Sequence, residues 1–162
     1  MTPPERVWLS QETFRTVVAA TPLISIDLVV RNSAGDVLLG QRTNRPARGS
    51  WFVPGGRVLK SESLDEAFRR LSETELSRVF DRAEARMLGV YEHFYSDSIF
   101  GEDITSPDTH YIVLGYQLML PGDQMLAPPV DQHDRYRWWP VETMQFDNSV
   151  HANTRAYLDA LR

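Results

Sequence analysis

The chain has 162 residues, 42% hydrophobic and 24% charged, with no cysteine. That length suits one domain with a real core, and the missing cysteine excludes disulfide scaffolds, thiolate zinc sites and cysteine nucleophiles. A net charge of −5 repels a nucleic-acid backbone, no apolar run approaches the ~20 residues of a membrane span, and the opening MTPPERVWLS lacks a secretory signal. The expectation is a single domain over residues 1–162, cytoplasmic, with neither nucleic acid nor membrane as a partner.

Trp8, Leu9, Phe14, Val17 and Val18 form a short apolar segment with partial helical spacing that stops at Thr21-Pro22. Residues 23–30 (LISIDLVV) read as a buried strand, and the turn residues Asn32, Ser33, Gly35 and Asp36 lead into a second strand over 37–41. Asp27 lies inside the first strand, where an unpaired carboxylate is expensive. After the loop TNRPARGS come a short strand over 51–53 and then Pro54-Gly55-Gly56. A helix is predicted over 61–80, with Ser63 and Glu66 in capping-box spacing and Leu64, Ala67, Phe68 and Leu71 on one face. At 100° per residue Glu75 falls about 20° from Leu64, in the middle of that apolar face. A carboxylate there must be paired, protonated or bound to a metal. Strands follow over 87–95, 110–120 and 136–139, the first two joined by a polar loop and the last preceded by Pro128-Pro129 and Gln132-His133 in a loop. An amphipathic helix over 150–161 closes the chain, and the alternation of elements implies a layered α/β domain.

From Gly56 the chain reads GRVLKSESLDEAFRRLSETELSR: glycine, five residues, Glu62, seven residues, Arg70, then Glu75. Trp51–Pro54 stand just ahead of it. A glycine-rich turn lets backbone approach a bound ion, and the helix behind it can present carboxylates to Mg²⁺, the usual counterion of a diphosphate. This frame resembles the signature of the Nudix hydrolases. The resemblance implies an α/β/α sandwich with a mixed β-sheet and a Gly-Gly loop–helix catalytic motif. Of the acidic positions in that signature, 62, 71, 74 and 75, this chain keeps Glu62 and Glu75 and has Leu71 and Thr74 at the others. Ser77 stands where the family has glycine.

The reduced acidic set, together with TPLISIDLVV, LLGQRTNRPARGSWFVPGGRV, RRLSETEL, THYIVLGY, DQHDRYRW and VHANTRAYL, is similar to the GDP-mannose mannosyl hydrolase branch of that family. The similarity implies Mg²⁺-dependent (or Mn²⁺-dependent) cleavage of the sugar C1–O bond of GDP-mannose, and of GDP-glucose, to GDP and free hexose with anomeric inversion. It implies Glu75, the Gly55 carbonyl and Gln132 as metal ligands, His133 as general base, and Arg42 and Asp27 as catalytic residues. Arg42, Arg57 and Tyr111 would contact the substrate, and Trp8, Leu9 and Phe14 the nucleotide. A homodimer with residues 1–20 at its interface is implied as well. Two other readings of the residues stay open. One is a pyrophosphohydrolase giving GMP and hexose 1-phosphate; the other is a nucleotide-binding module without turnover. Arg70 can satisfy either Glu62 or Glu75.

Overall fold

The computed structural model describes residues 8–122, 126, 128 and 133–161, with His133 and Asp134 described by their backbone alone. Helix α1 (Gln11–Ala20) starts at Ser10, whose hydroxyl accepts from the Thr13 amide, and stops as expected before Pro22. Strands β1 (Leu23–Arg31) and β2 (Val37–Arg42) follow, then β3 (Trp51–Phe52) and β4 (Gly55–Arg57). Helix α2 (Leu64–Leu76) leads to β5 (Arg86–Tyr95), β6 (Thr109–Met119) and β7 (His133–Trp139), and α3 (Val141–Met144) and α4 (Ala152–Arg155) come last.

Among the described residues the strands form one seven-stranded mixed sheet in the order β3-β2-β1-β6-β5, with β4 also on β1 and β7 also on β2. The pairing of β1 with β6 is parallel and the other pairings are antiparallel. Side chains of β1 alternate between two cores. Ile26, Leu28 and Val30 meet Phe68, Leu71 and Leu76 of α2 on one face, while Val29 meets Val37, Leu39, Tyr157 and Leu161 on the other. Each such side chain contributes about 1.5–3 kcal/mol on burial, so the layering follows from a strand that is apolar on both faces. This is the expected α/β/α sandwich.

Some boundaries differ from the sequence expectation, for local reasons. The long helix is shorter at both ends. Ser61 takes a positive φ of 64°, Ser63 caps the helix with the full capping box, and Ser77 turns left-handed at φ 56°. The chain then folds back, and the Phe80 amide donates to the Ser72 hydroxyl at 2.9 Å. The closing helix is also broken, into α4 and a 3₁₀ turn over Leu158–Leu161. Arg31 and Arg86 donate to the carbonyls of Leu161 and Ala160, tying the tightened turn to the sheet. The loop expected around His133 is strand instead. Its backbone opens β7, paired with Arg42, because the antiparallel register on β2 runs on past a bulge between Gly40 and Arg42.

Candidate active site

Strands β1 and β2 pair at Arg31 and Val37, beside the hairpin turn, and part from there. Residues 51–57 fill the gap, with Phe52 on Gly40 and with Gly55, Gly56 and Arg57 on Asp27, Ile26 and Ser25. The Leu28 amide donates to the Pro54 carbonyl at 2.8 Å, which pins the turn to the strand. A cleft of about 490 Å³ opens there, walled by the loops at 44–46 and 98–99. These two loops are tied to each other, since Arg45 Nη1 lies 3.1 Å from Asp97 and 2.8 Å from Glu102. The second loop is also tied to α1. Arg15 donates to the Thr105 carbonyl and lies over the Phe100 ring, which packs 5.7 Å from Phe14.

Asp27, Arg42, Gly55, Arg57, Glu75, Tyr111, Trp8 and Phe14 all line this cleft, so the fold gathers residues from β1, β2, β4, α2, β6 and the N-terminal segment. Leu9 is exposed and stands off the cleft wall. The side chain of His133 and the whole of Gln132 lie outside the described residues; the His133 backbone sits beside Arg42.

Glu75 is 2% exposed and takes no hydrogen bond or ion pair among the described residues. Burial pushes its carboxyl up to about 7, against the pull of Arg42 and Arg70. Asp27 is raised to about 6, also by burial, while a Tyr157 hydrogen bond and the Arg42 charge pull it down. The Arg42 guanidinium lies 5.6 Å from the Phe52 ring centre and makes no hydrogen bond or ion pair among the described residues. Arg57 lies 4.1 Å over the Phe14 ring, and Arg42 and Arg57 both lower the pKa that burial raises on Tyr111.

The structure decides the partner of Arg70. Its guanidinium grips Glu62 bidentately, at 2.7 and 2.9 Å, and donates to the Arg57 carbonyl at 2.8 Å. Glu62 also accepts from the Leu59 amide, so this carboxylate braces the loop before α2 and leaves Glu75 as the acidic side chain of that helix in the cleft. Leu71, at one of the other acidic positions of the motif, is buried in the core and crowds Gly56, where a Cβ would lie 2.6 Å from Leu71 Cδ2.

The motif geometry agrees with the comparison to known proteins. A family model described as NUDIX domain matches residues 21–160. The chain belongs to the Nudix hydrolase family. Over 156 residues it is 38% identical to low-salt glycan biosynthesis protein Agl8 of Haloferax volcanii, covering 94% of this chain and 90% of that protein. A MutT NUDIX hydrolase from Burkholderia pseudomallei shares its fold with a TM-score of 0.68 and 22% identity, over 88% of this chain and 99% of that one. The NUDIX domain of Shewanella oneidensis NrtR, solved with ADP ribose, has a TM-score of 0.62 and 18% identity, over 94% and 96%.

The Nudix cleft contains residues that sequence reasoning left without a role. His93 and Tyr95 of β5 line it, as do Phe52, Ser25 and Thr109. For His93 and Tyr95 the sequence signal is alternation along β5, whose inward side chains Tyr91, His93 and Tyr95 meet Tyr157 and His151. Burial lowers the His93 imidazole to about 4, so it is neutral near pH 7.

Proposed function

We propose that this Nudix hydrolase cleaves GDP-mannose or GDP-glucose at the sugar C1–O bond, releasing GDP and the inverted free hexose. The observation that carries this reading is the acidic inventory of the motif. Leu71 belongs to the core, Glu62 is committed to Arg70, and Thr74 lines the cleft, so one carboxylate of the motif remains for a metal. Attack at phosphorus in this family uses the fuller carboxylate set, whereas departure of GDP from C1 needs less. The name of the Haloferax volcanii relative supports a sugar-bearing substrate.

The residues present fit a divalent cation. Glu75 is a buried carboxylate without a hydrogen bond or ion pair among the described residues, and the Gly55 backbone lines the same cleft. In this reading Glu75, the Gly55 carbonyl and Gln132 hold Mg²⁺, or Mn²⁺ in its place, an all-oxygen set of the kind Mg²⁺ takes. The chemistry a bound ion supplies is neutralisation of the diphosphate leaving group. Arg42, which lies over Phe52 and has no bonded partner for its guanidinium among the described residues, stabilises GDP as it departs, and Arg57 and Tyr111 contact the phosphates. Trp8 and Phe14 receive the guanine, and Asp27 accepts from a sugar hydroxyl. His133, whose backbone pairs with Arg42, takes the proton of the attacking water. Trp8 is 73% exposed in the single chain, which supports a homodimer closing over the N-terminal segment.

Hydrolysis in ¹⁸O-water tests the bond that breaks. Label should enter the hexose and not the phosphate, with β-hexose as the first anomer seen by NMR. GMP and hexose 1-phosphate with labelled phosphate would instead assign the chain to the pyrophosphohydrolases, and the absence of any product would make it a binding module.

A further inference from the structure

Asp27 has no side-chain neighbours beside it in the sheet. Its Cα partners are Gly55 on β4 and Gly115 on β6, and Gly115 in turn pairs with Gly89 on β5. The row Gly55–Asp27–Gly115–Gly89 therefore forms a trough across four strands. A Cβ at Gly55 would lie 2.6 Å from Asp27 Oδ1, and one at Gly115 would lie 2.8 Å from Tyr157 Cε1. The trough is thus filled on one side by the carboxylate and on the other by the Tyr157 ring. Tyr157 is 1% exposed, and the Tyr91 ring packs against it at 4.6 Å and 72°. Its hydroxyl donates to Asp27 Oδ2 at 2.7 Å. Asp27 lines the cleft, whereas Tyr157 stands behind it.

We infer that Tyr157 is a positioning residue for this site: lying across Gly115, its hydroxyl holds Oδ2 of Asp27 and leaves Oδ1, above Gly55, as the acceptor for a hydroxyl of the hexose. The role rests on the reading that the substrate carries a hexose. Tyr157 acts by removing rotational freedom from Asp27. Strands on both sides hold the backbone of Asp27, so only its side-chain torsions remain, and the glycines give them room to turn. A buried phenol locked by packing supplies the fixed donor that stops this rotation. An ionised carboxylate only accepts, so with Oδ2 engaged by Tyr157 the other oxygen remains for a sugar hydroxyl.

Tyr157→Phe keeps the ring and removes only the donor. The full chain with saturating Mg²⁺ should lose about 10- to 100-fold in kcat/KM for GDP-mannose, the usual scale for a hydrogen bond to a charged group. Inhibition by GDP, which lacks the sugar, should be unchanged. In an Asp27→Ala background the same substitution should cost nothing further. An unimpaired Tyr157→Phe enzyme, an equal loss in the Asp27→Ala background, or a parallel loss of GDP affinity would each overturn the role. A wild-type chain that releases no hexose would overturn the proposed function and this role with it, so the two failures are distinguishable.

Discussion

Glu62 and Glu75 are both buried carboxylates in one motif, yet their surroundings give them opposite work. Glu62 has Arg70 and the Leu59 amide as partners, whereas Glu75 has neither ion pair nor hydrogen bond among the described residues. A buried carboxylate without a bonded partner costs stability, which fits a group kept for a ligand. Because the carboxyl of Glu75 is raised from 4.5 to about 7, its penalty is absent below pH 4.5 and complete above pH 7. In metal-free protein, Glu75→Gln should therefore stabilise the fold at pH 8 by up to about 3 kcal/mol and leave it unchanged at pH 4, read by urea unfolding. Mg²⁺ should raise the melting temperature of the wild type and not of the variant, and turnover of the variant should fall by orders of magnitude. A variant less stable than the wild type at pH 8 would show that Glu75 has a partner after all.

At the scale of the element, α2 carries strong local signals at its start and an imperfect one at its end. The Ser63–Glu66 capping box satisfies amides at the N-terminus, but Ser77 closes the C-terminus at φ 56°, a region where a Cβ is strained. Glycine at that place in the family motif is thus a conformational choice. Ser77 is exposed and outside the cleft. Ser77→Gly should stabilise the protein by roughly 1 kcal/mol with kcat and KM unchanged, checked by thermal unfolding beside a steady-state assay. Loss of activity in that variant would give Ser77 a part in the site.

Across the whole molecule, the aromatic cluster between β5 and the C-terminal turns joins one wall of the cleft to the C-terminal layer. His93 there is 4% exposed, its Nε2 has no hydrogen-bond partner among the described residues, and His151 stacks on Phe52 at 4.5 Å. Burial lowers both imidazoles, His93 to about 4, so both are held neutral in the fold. Unfolding lets them take up protons, and stability is lost as pH falls from about 6.5 toward 4. Glu75 and Asp27 titrate with the opposite sign over overlapping ranges, so the effect must be read as a difference. Relative to His93→Phe, the wild type should lose about 2 kcal/mol between pH 7 and pH 4.5 in urea unfolding. Parallel pH curves for the two proteins would mean that the imidazole is protonated in the fold.

Most strands, the start of α2 and the motif are legible in the sequence, because they are written in local spacing. Apolar runs set β1 and β6, the 3.6 period with its cap set α2, and the glycine–glutamate–arginine frame marked where carboxylates and a sharp turn would meet. The sequence also flagged Asp27 and Glu75 as misplaced charges, since a carboxylate within an apolar pattern is costly whatever surrounds it. The partners of those charges follow from packing between distant segments. Arg70 is eight residues from Glu62 and five from Glu75, and its choice depends on how the loop at 57–62 folds over α2. Tyr157 reaches Asp27 across 130 residues, through a parallel strand pairing and a glycine that leaves room for its ring. No local pattern encodes such a contact, because its geometry exists only once β1, β6 and the C-terminal turns are packed together.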